Sequence, residues 1–286
     1  MTRTKTLPDK NRERPMPQKS EILVRGLSAI VLAVMALAAT IASAWTFLLL
    51  AILAGAILAW EWGKLVRGTG FDAIAWIQAI GVAAVVILIM LGSPELALAA
   101  LAIGLVAIGL ASFATNRLWW SLAGLLYTAL TIGALVWLRS DQTYGAAAML
   151  YVFVVAWTTD TVSYAAGRLI GGAKLTPHIS PNKTWSGFIA GALAPAFVGY
   201  AFALVLGGAT AWRLALVSVA LAMACQMGDL VESAVKRRFG VKDMSGLIPG
   251  HGGLFDRIDG LLLAGLLAGL IALRDAANPG QGLLIW

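Results

Sequence analysis

Apolar runs of roughly membrane-spanning length recur along the chain and are separated by short polar segments. A helix needs about 20 residues to cross the hydrocarbon core of a bilayer, and each run comes near that length. The alternation of apolar and polar residues that is typical of a transmembrane barrel is absent. The run over residues 26–60 is long enough for a helical hairpin that turns near Ser43, and further spans are predicted at 73–91, 95–114, 119–138, 144–163, 185–206, 212–231 and 256–273. The pattern therefore predicts an all-α, polytopic membrane helical bundle of about nine transmembrane helices.

The composition agrees with this class and divides the chain into three parts. Hydrophobic residues make up 60% of the sequence, charged residues only 12%, and the mean hydropathy is +0.85. Residues 1–25 are polar, basic and interrupted by prolines, which predicts a disordered cytoplasmic tail. The first five predicted spans are almost free of ionisable groups, so we expect residues 26–143 to form an N-terminal transmembrane scaffold of five spans. Residues 144–286 are expected to form a C-terminal transmembrane domain of four spans with two charged loops, 164–184 and 232–255.

The distribution of basic residues predicts the orientation of the bundle. With the N-terminus in the cytoplasm, 18 of the 21 Lys and Arg residues fall on the cytoplasmic side of the nine predicted spans. Both charged loops then face the cytoplasm. The positive charge behind the net charge of +7 lies in the loops between spans, as membrane insertion alone demands, so we exclude a nucleic-acid partner.

The segment 226–259, QMGDLVESAVKRRFGVKDMSGLIPGHGGLFDRID, concentrates charge between two apolar runs. Asp229 and Glu232 lie at the end of the first run, and Asp256 and Asp259 lie at the start of the second. A basic, glycine-rich loop joins them, and carboxylates facing such a loop predict a site for a divalent cation that holds a polyphosphate. Taken singly, the features have ordinary explanations: Asp256 as a helix N-cap, Asp259 as a third-position acid, and the basic residues as cytoplasmic charges.

A second candidate region follows the sixth predicted span. Asp160 lies within an apolar helix, where an ionisable group is costly unless it meets a cation, a partner or water, and an ion pair with Arg168 is an equally weighted alternative. Ser180 and Pro181 are typical of a helix N-cap and a first helical residue. Lys183 would then stand at the third helical position, which disfavours a lysine unless an anion lies nearby. Helix amides, Lys183 and the Ser180 hydroxyl would together cradle a phosphate.

Residues 233–259, SAVKRRFGVKDMSGLIPGHGGLFDRID, resemble position for position the signature of the phosphatidate cytidylyltransferases, also called CDP-diacylglycerol synthases. The segments QMGDLVES, DTVSYAAGR and SPNKTW also resemble motifs of that family, although Asn182 and Ser186 stand where many members have a lysine and a glutamate. The resemblance implies transfer of CMP from CTP to phosphatidate, which gives CDP-diacylglycerol and pyrophosphate.

The resemblance also implies roles for individual residues of a catalytic C-terminal domain. Asp229 and Asp256 would be the main ligands of a centre that holds Mg²⁺ and a second cation, with Glu232 and Asp259 as weaker candidates. Lys236 and Arg237 would join Asp229 and Asp256 in catalysis. The implied substrate-binding residues are Ser180, Asn182, Lys183, Thr184, Lys242, Asp243, His251, Gly252, Gly253 and Arg257, with Asp160 and Arg168 as further candidates. The implied partners are CTP and phosphatidate in the bilayer, the implied location is the bacterial inner membrane, and a homodimer is left open.

Two other functions are compatible with parts of the sequence. A related CTP-using lipid enzyme, such as a polyprenol kinase or an archaeal-lipid cytidylyltransferase, would also need carboxylates and basic loops in a helical bundle. An ion-coupled transporter would use intramembrane Asp160 and Asp229 as coupling sites. Against a transporter, the unusual residues lie on one predicted side and no inverted repeat is visible.

Overall fold

A computed structural model describes residues 19–113, 116–207, 210–248 and 252–286. Within these ranges, seven helices are long and apolar enough to cross a membrane. The other two predicted spans are also helical, but the apolar part of the first, Gly26–Ala42, is shorter, and the last, Phe255–Ala272, carries three charged residues in its first turns. The class of polytopic helical membrane protein is confirmed, whereas the count of nine spans is not.

Within the described residues, the elements are a series of helices and one small β-hairpin. In chain order they are α1 Lys19–Ala42, α2 Ala44–Arg67, α3 Ala73–Met90, α4 Pro94–Ser112, α5 Leu118–Ser140, α6 Gly145–Leu169, β1 Lys174–Thr176, β2 Ser180–Thr184, α7 Trp185–Leu193, α8 Pro195–Leu206, α9 Ala211–Arg238, α10 Phe255–Ala272 and α11 Pro279–Leu284. A short 3-10 turn at Leu273–Asp275 joins the last two helices. Helix α1 begins within the predicted tail, and the rest of that tail lies outside the described residues.

The first two helices form the predicted hairpin, and its turn is at Ser43. The Ser43 hydroxyl accepts a 3.0 Å hydrogen bond from the Thr46 amide, and the Thr46 hydroxyl accepts one of 3.0 Å from the Ser43 amide. This reciprocal capping box satisfies two backbone donors that a helix end would otherwise leave unpaired. A small polar side chain between two apolar runs therefore marks the turn both in the sequence and in the structure.

The hairpin β1–β2 corrects the prediction for residues 180–184. Ser180 pairs with Thr176 in an antiparallel strand, so Ser180 is not a helix N-cap and Lys183 is not at a third helical position. The N-cap of α7 is Thr184, whose hydroxyl accepts a 3.2 Å hydrogen bond from the Gly187 amide. A Ser-Pro pair also fits an extended strand at an exposed edge, because proline lacks only the amide that such an edge leaves unpaired.

The predicted span 185–206 contains a break. Helix α7 ends at Leu193 and α8 begins at Pro195 as its first residue. Proline has no amide hydrogen to continue the helical pattern and fits the first turn of a helix, so the break falls where the sequence places it. The two pieces together remain long and apolar enough to cross a membrane.

The two charged loops lie at the same end of the bundle. Arg237, at the end of α9, donates a 3.3 Å hydrogen bond from Nε to the carbonyl of Ile179 in the hairpin. It also donates one of 3.0 Å to the carbonyl of Val241 in the second loop. This contact between the loops agrees with the predicted arrangement in which both share one side of the membrane.

Candidate active site

Helices α9 and α10 cross in close contact through two glycines. A Cβ atom on Gly228 would lie 2.5 Å from the carbonyl oxygen of Asp259, and one on Gly260 would lie 2.5 Å from Cys225 Sγ. Both distances are too short for any side chain, so the two backbones approach as closely as they do only because both residues are glycine. The crossing brings Asp229, next to Gly228, towards the Asp259 side of α10.

Three carboxylates meet at this crossing. One oxygen atom each of Asp229, Glu232 and Asp259 lies within 4.8 Å of the other two. Glu232 is buried, and its Oε1 has no hydrogen-bond partner among the described residues. A buried carboxylate oxygen without a partner is unfavourable, and a cation would satisfy it. Divalent cations such as Mg²⁺ prefer hard oxygen ligands, so these three side chains fit a metal ion.

Lys183 connects the hairpin to the acidic cluster. Its Nζ lies 2.5 Å from Asp229 Oδ2, and both side chains are partly exposed. The two residues line one cavity of about 480 Å³ between the hairpin, α6, α7 and α9, whose lining also includes Asp160, Tyr164, Arg168, Asn182, Thr184 and Gln226. The cavity therefore offers carboxylates for a cation and a lysine for an anion at the same place.

Asp160 and Arg168 line this cavity without pairing with each other. Arg168 Nη1 instead donates a 2.8 Å hydrogen bond to the hydroxyl of Tyr164. The ion pair that the sequence left open as an explanation of Asp160 is therefore wrong. Asp160 has the Cys225 thiol 3.9 Å away and interacts electrostatically with Asp229 across the cavity.

Asp256 is held by a lysine and by the second loop. Lys236 Nζ lies 2.6 Å from Asp256 Oδ1 and 2.6 Å from Glu232 Oε2. Asp256 Oδ2 accepts hydrogen bonds from the amides of Met244 at 2.9 Å and Gly253 at 2.8 Å. Asp256 lies inside the first turn of α10, so it is not the N-cap, and it is not one of the three carboxylates whose oxygens converge.

The family of the chain is shown by its similarity to known proteins. A model of the cytidylyltransferase family matches residues 23–273. The chain belongs to the cytidylyltransferase family. The phosphatidate cytidylyltransferase of Brucella abortus biovar 1 (strain 9-941) is 37% identical over 258 residues, which are 87% of this chain and 92% of that protein. The enzyme of the same name from Staphylococcus haemolyticus (strain JCSC1435) is 46% identical over 125 residues, which are 43% of this chain and 47% of that protein. The predicted family is confirmed.

The scaffold helices of this cytidylyltransferase also contribute to the site, which the sequence analysis missed. Glu61 of α2 is fully buried. Its Oε1 accepts hydrogen bonds from the Ser245 hydroxyl at 2.6 Å and the Leu254 amide at 2.9 Å, and its Oε2 accepts one from the Phe255 amide at 2.8 Å. The signal that could have revealed it is a carboxylate in the apolar run 44–67, since an ionisable group inside a membrane helix is costly without partners.

The second loop of this cytidylyltransferase folds tightly around these two carboxylates. Gly252 has φ +87°, and a Cβ there would lie 2.8 Å from Asp256 Oδ2. A Cβ on Gly253 would lie 2.3 Å from Glu61 Oε1. Glycine is therefore required at both positions, by the left-handed backbone at the first and by close contact at both. Their predicted role in substrate binding stays a prediction.

The remaining predicted residues are distributed around the site. Lys242 and Asp243 are exposed in the second loop, and Ser180 and Asn182 lie on the hairpin strand β2. Arg257 is exposed on α10 and lines a separate, apolar groove. His251 lies outside the described residues.

Proposed function

We propose that this cytidylyltransferase transfers CMP from CTP to phosphatidate, giving CDP-diacylglycerol and pyrophosphate. The observation that carries the proposal is the meeting of Asp229, Glu232 and Asp259 beside Lys183, within membrane helices of a chain of this family. A cation site next to an anion-binding lysine suits a nucleoside triphosphate. A position among membrane helices suits a second substrate that is a lipid.

The reaction needs no general base. A phosphate monoester is largely dianionic near neutral pH, because its second pKa is about 6. An oxygen of the lipid phosphate attacks the α-phosphorus of CTP and forms the new P–O bond. The bond from the α-phosphorus to the bridging oxygen breaks, and pyrophosphate leaves with that electron pair. The protein has to position the two phosphates and to stabilise the negative charge of the leaving group.

Mg²⁺ is the cation that we propose for the acidic cluster. When bound, it would neutralise charge on the triphosphate and on the leaving pyrophosphate. Asp229, Glu232 and Asp259 would hold it, because their oxygens converge and Glu232 Oε1 lacks a partner among the described residues. Asp160, which lines the same cavity as Asp229, is a further carboxylate for a second cation.

Lys183 is the residue that we propose to exchange partners when CTP binds. It neutralises Asp229 at 2.5 Å across the cavity. A cation on Asp229 would compete with the lysine, which is then free to bind a phosphate of CTP. Lys236 has no such freedom, since two buried carboxylates hold it at 2.6 Å, so we assign it a positioning role.

The proposed location is the bacterial inner membrane with the site facing the cytoplasm, where CTP is available. The excess of basic residues on one side of the spans and the contact between the two charged loops support this orientation. The integral membrane character itself rests on the seven apolar helices.

The test is an assay of the purified protein in detergent with CTP, phosphatidate and Mg²⁺. We expect CDP-diacylglycerol and pyrophosphate in equal amounts, and no product in EDTA until Mg²⁺ is restored. A CTP-dependent lipid kinase would instead release CDP and phosphorylate an alcohol such as polyprenol. Release of CDP, or no turnover of CTP by protein that is folded, would refute the proposal.

A further inference from the structure

An apolar groove runs along the bundle and lies on the same face of α6 as the site cavity, at residues 153–157, whereas the cavity is lined at residues 160–168. It has a volume of about 350 Å³ and is formed by α1, α2, α5, α6 and α10. Its lining is aliphatic and aromatic, with Ala33, Ala54, Phe153 and Leu261 among its walls. Arg257 is the one charged residue among its lining residues.

The groove has the length of one acyl chain and runs along the helix axes. Along α2 its wall runs from Phe47 to Ile57, which at 1.5 Å per residue is about 15 Å. The hydrocarbon core of a bilayer is about 30 Å thick, so the groove spans about half of it. Ile57 lies one helical turn before Glu61, which contacts the second loop, so the groove starts at the active-site end and runs into the membrane.

Arg257 stands at the active-site end of the groove. It follows Leu254, another lining residue, by one turn and lies between Asp256 and Asp259 in the chain. Its exposed guanidinium makes no hydrogen bond or ion pair with any residue in the described ranges, although its charge acts on Asp160. An arginine binds a phosphate through paired, charge-assisted hydrogen bonds. A cation at the polar end of an apolar groove is complementary to a phosphate that carries acyl chains.

We propose that this groove binds an acyl chain of phosphatidate, and that Arg257 holds the lipid phosphate beside the acidic cluster. The inference rests on the proposed function and adds a path for the lipid: between α1 and α10, with CTP in the cavity that lies further along the same face of α6. The lipid is thereby aligned with its phosphate towards Asp259 and its chain along α2 in the direction of the Ser43 turn.

The first experiment fills the groove from α2. In Ala54→Trp, an indole would occupy the space of the chain, so we expect the KM for long-chain phosphatidate to rise about tenfold while the KM for CTP stays unchanged. Activity on dihexanoyl phosphatidate should be affected less, because its short chains occupy only the end of the groove near Ile57. The matched control is Ala102→Trp, on an exposed face of α4 outside the groove, which should leave all three values as in the wild type. Equal KM values for long-chain phosphatidate in Ala54→Trp and the wild type would overturn the proposal.

The main measurement of a second experiment uses the unaltered protein, so its result does not depend on the folding of a variant. Phosphatidate with a photoreactive diazirine on its acyl chain is bound without CTP or Mg²⁺, irradiated, and its adducts are mapped by mass spectrometry. We expect adducts on α1, α2 and α10 within the groove, fewer in Arg257→Gln, and recovery in Arg257→Lys. Adducts confined to other surfaces, or an equal yield from a phosphatidylcholine probe, would overturn the proposal. Because no turnover is measured, its failure is distinct from a failure of the cytidylyl-transfer assay.

Discussion

Glu61 of α2 accepts a 2.6 Å hydrogen bond from the hydroxyl of Ser245, which lies 184 residues further along the chain. The same carboxylate accepts hydrogen bonds from the backbone amides of Leu254 and Phe255, where α10 begins. A side chain of the N-terminal scaffold thus fixes both the second loop and the start of the helix that carries Asp256 and Asp259. The geometry of the proposed metal site depends on a helix that contributes no ligand to it.

We predict that Glu61→Ala loosens this loop and abolishes CMP transfer. Leaving a buried donor without its partner costs about 1–3 kcal/mol, and three donors lose Glu61. We expect a lower melting temperature in detergent and faster proteolysis within residues 241–248. Glu61→Gln, which keeps an acceptor oxygen, should be affected less. The control Glu95→Ala, at the exposed start of α4, should behave as the wild type. Normal activity of Glu61→Ala would show that the loop holds its shape without α2.

We predict that replacing Asp256 or Asp259 by asparagine has different effects on Mg²⁺ binding and on stability. Asp259→Asn removes an anionic oxygen from the converging cluster, so we expect the Mg²⁺ concentration for half-maximal activity to rise about tenfold or more, equivalent to about 1.4 kcal/mol or more of binding. Asp256→Asn removes one of the two carboxylates that hold Lys236, and breaking a buried ion pair can cost about 3–5 kcal/mol. We expect this variant to be less stable, with the Mg²⁺ dependence of its remaining activity unchanged.

The measurements are Mg²⁺ titrations of activity per folded molecule and thermal unfolding in detergent. A raised Mg²⁺ requirement in Asp256→Asn at wild-type stability would make Asp256 a metal ligand, as the family resemblance implies. Asp229→Asn should behave like Asp259→Asn, because both oxygens belong to the same cluster.

Local signals in the sequence predict the positions of the helices well. They predict the roles of individual residues less well. The hydrophobic runs locate the spans, since apolar length is a property of each segment alone, and Ser43 marks a turn by its own capping. Ser180 was misassigned because a Ser-Pro pair suits both a helix start and a strand edge, and only pairing with Thr176 decides between them.

Contacts between distant segments could not be predicted in this way. That Asp256 binds Lys236 and two loop amides, while Asp259 joins Asp229, depends on how α10 crosses α9. The scarcity of charge in the first five spans predicts only a scaffold. The partners of Glu61 lie at residues 245–255, so its role appears only once the chain has folded.

The crossing of α9 and α10 gives a third prediction. In Gly228→Ala, the added methyl group would meet the backbone of Asp259 at 2.5 Å, and because backbone cannot rotate away, the helices must separate. Overpacking of this kind costs about 1–3 kcal/mol and would move Asp229 and Glu232 away from Asp259. We expect loss of CMP transfer and a higher Mg²⁺ requirement. The control is Gly109→Ala on α4, where nothing lies within 4 Å of the new atom. Wild-type activity of Gly228→Ala would mean that the carboxylates need not converge.

The last prediction concerns how many times the chain crosses the membrane between residues 142 and 246. Three helical segments lie between them: α6, the broken pair α7–α8, and α9. If the broken pair crosses the membrane, the number of crossings is odd, and the two residues lie on opposite sides. If α7 and α8 instead entered and left on one side, the residues would share a side. Gln142 and Gly246 are both exposed, and a Cβ on Gly246 would meet no atom within 4 Å, so cysteines at these positions should disturb little.

We expect a membrane-impermeant maleimide to label Gly246→Cys from the cytoplasmic side and Gln142→Cys from the opposite side, in inside-out and right-side-out vesicles respectively. The native Cys225 is buried, so the parent protein serves as the unlabelled control. Labelling of both cysteines from one side would show that the α7–α8 pair does not span the bilayer. Labelling of each from the side opposite to that expected would preserve the crossing but reverse the orientation, and it would place the proposed CTP site away from the cytoplasm.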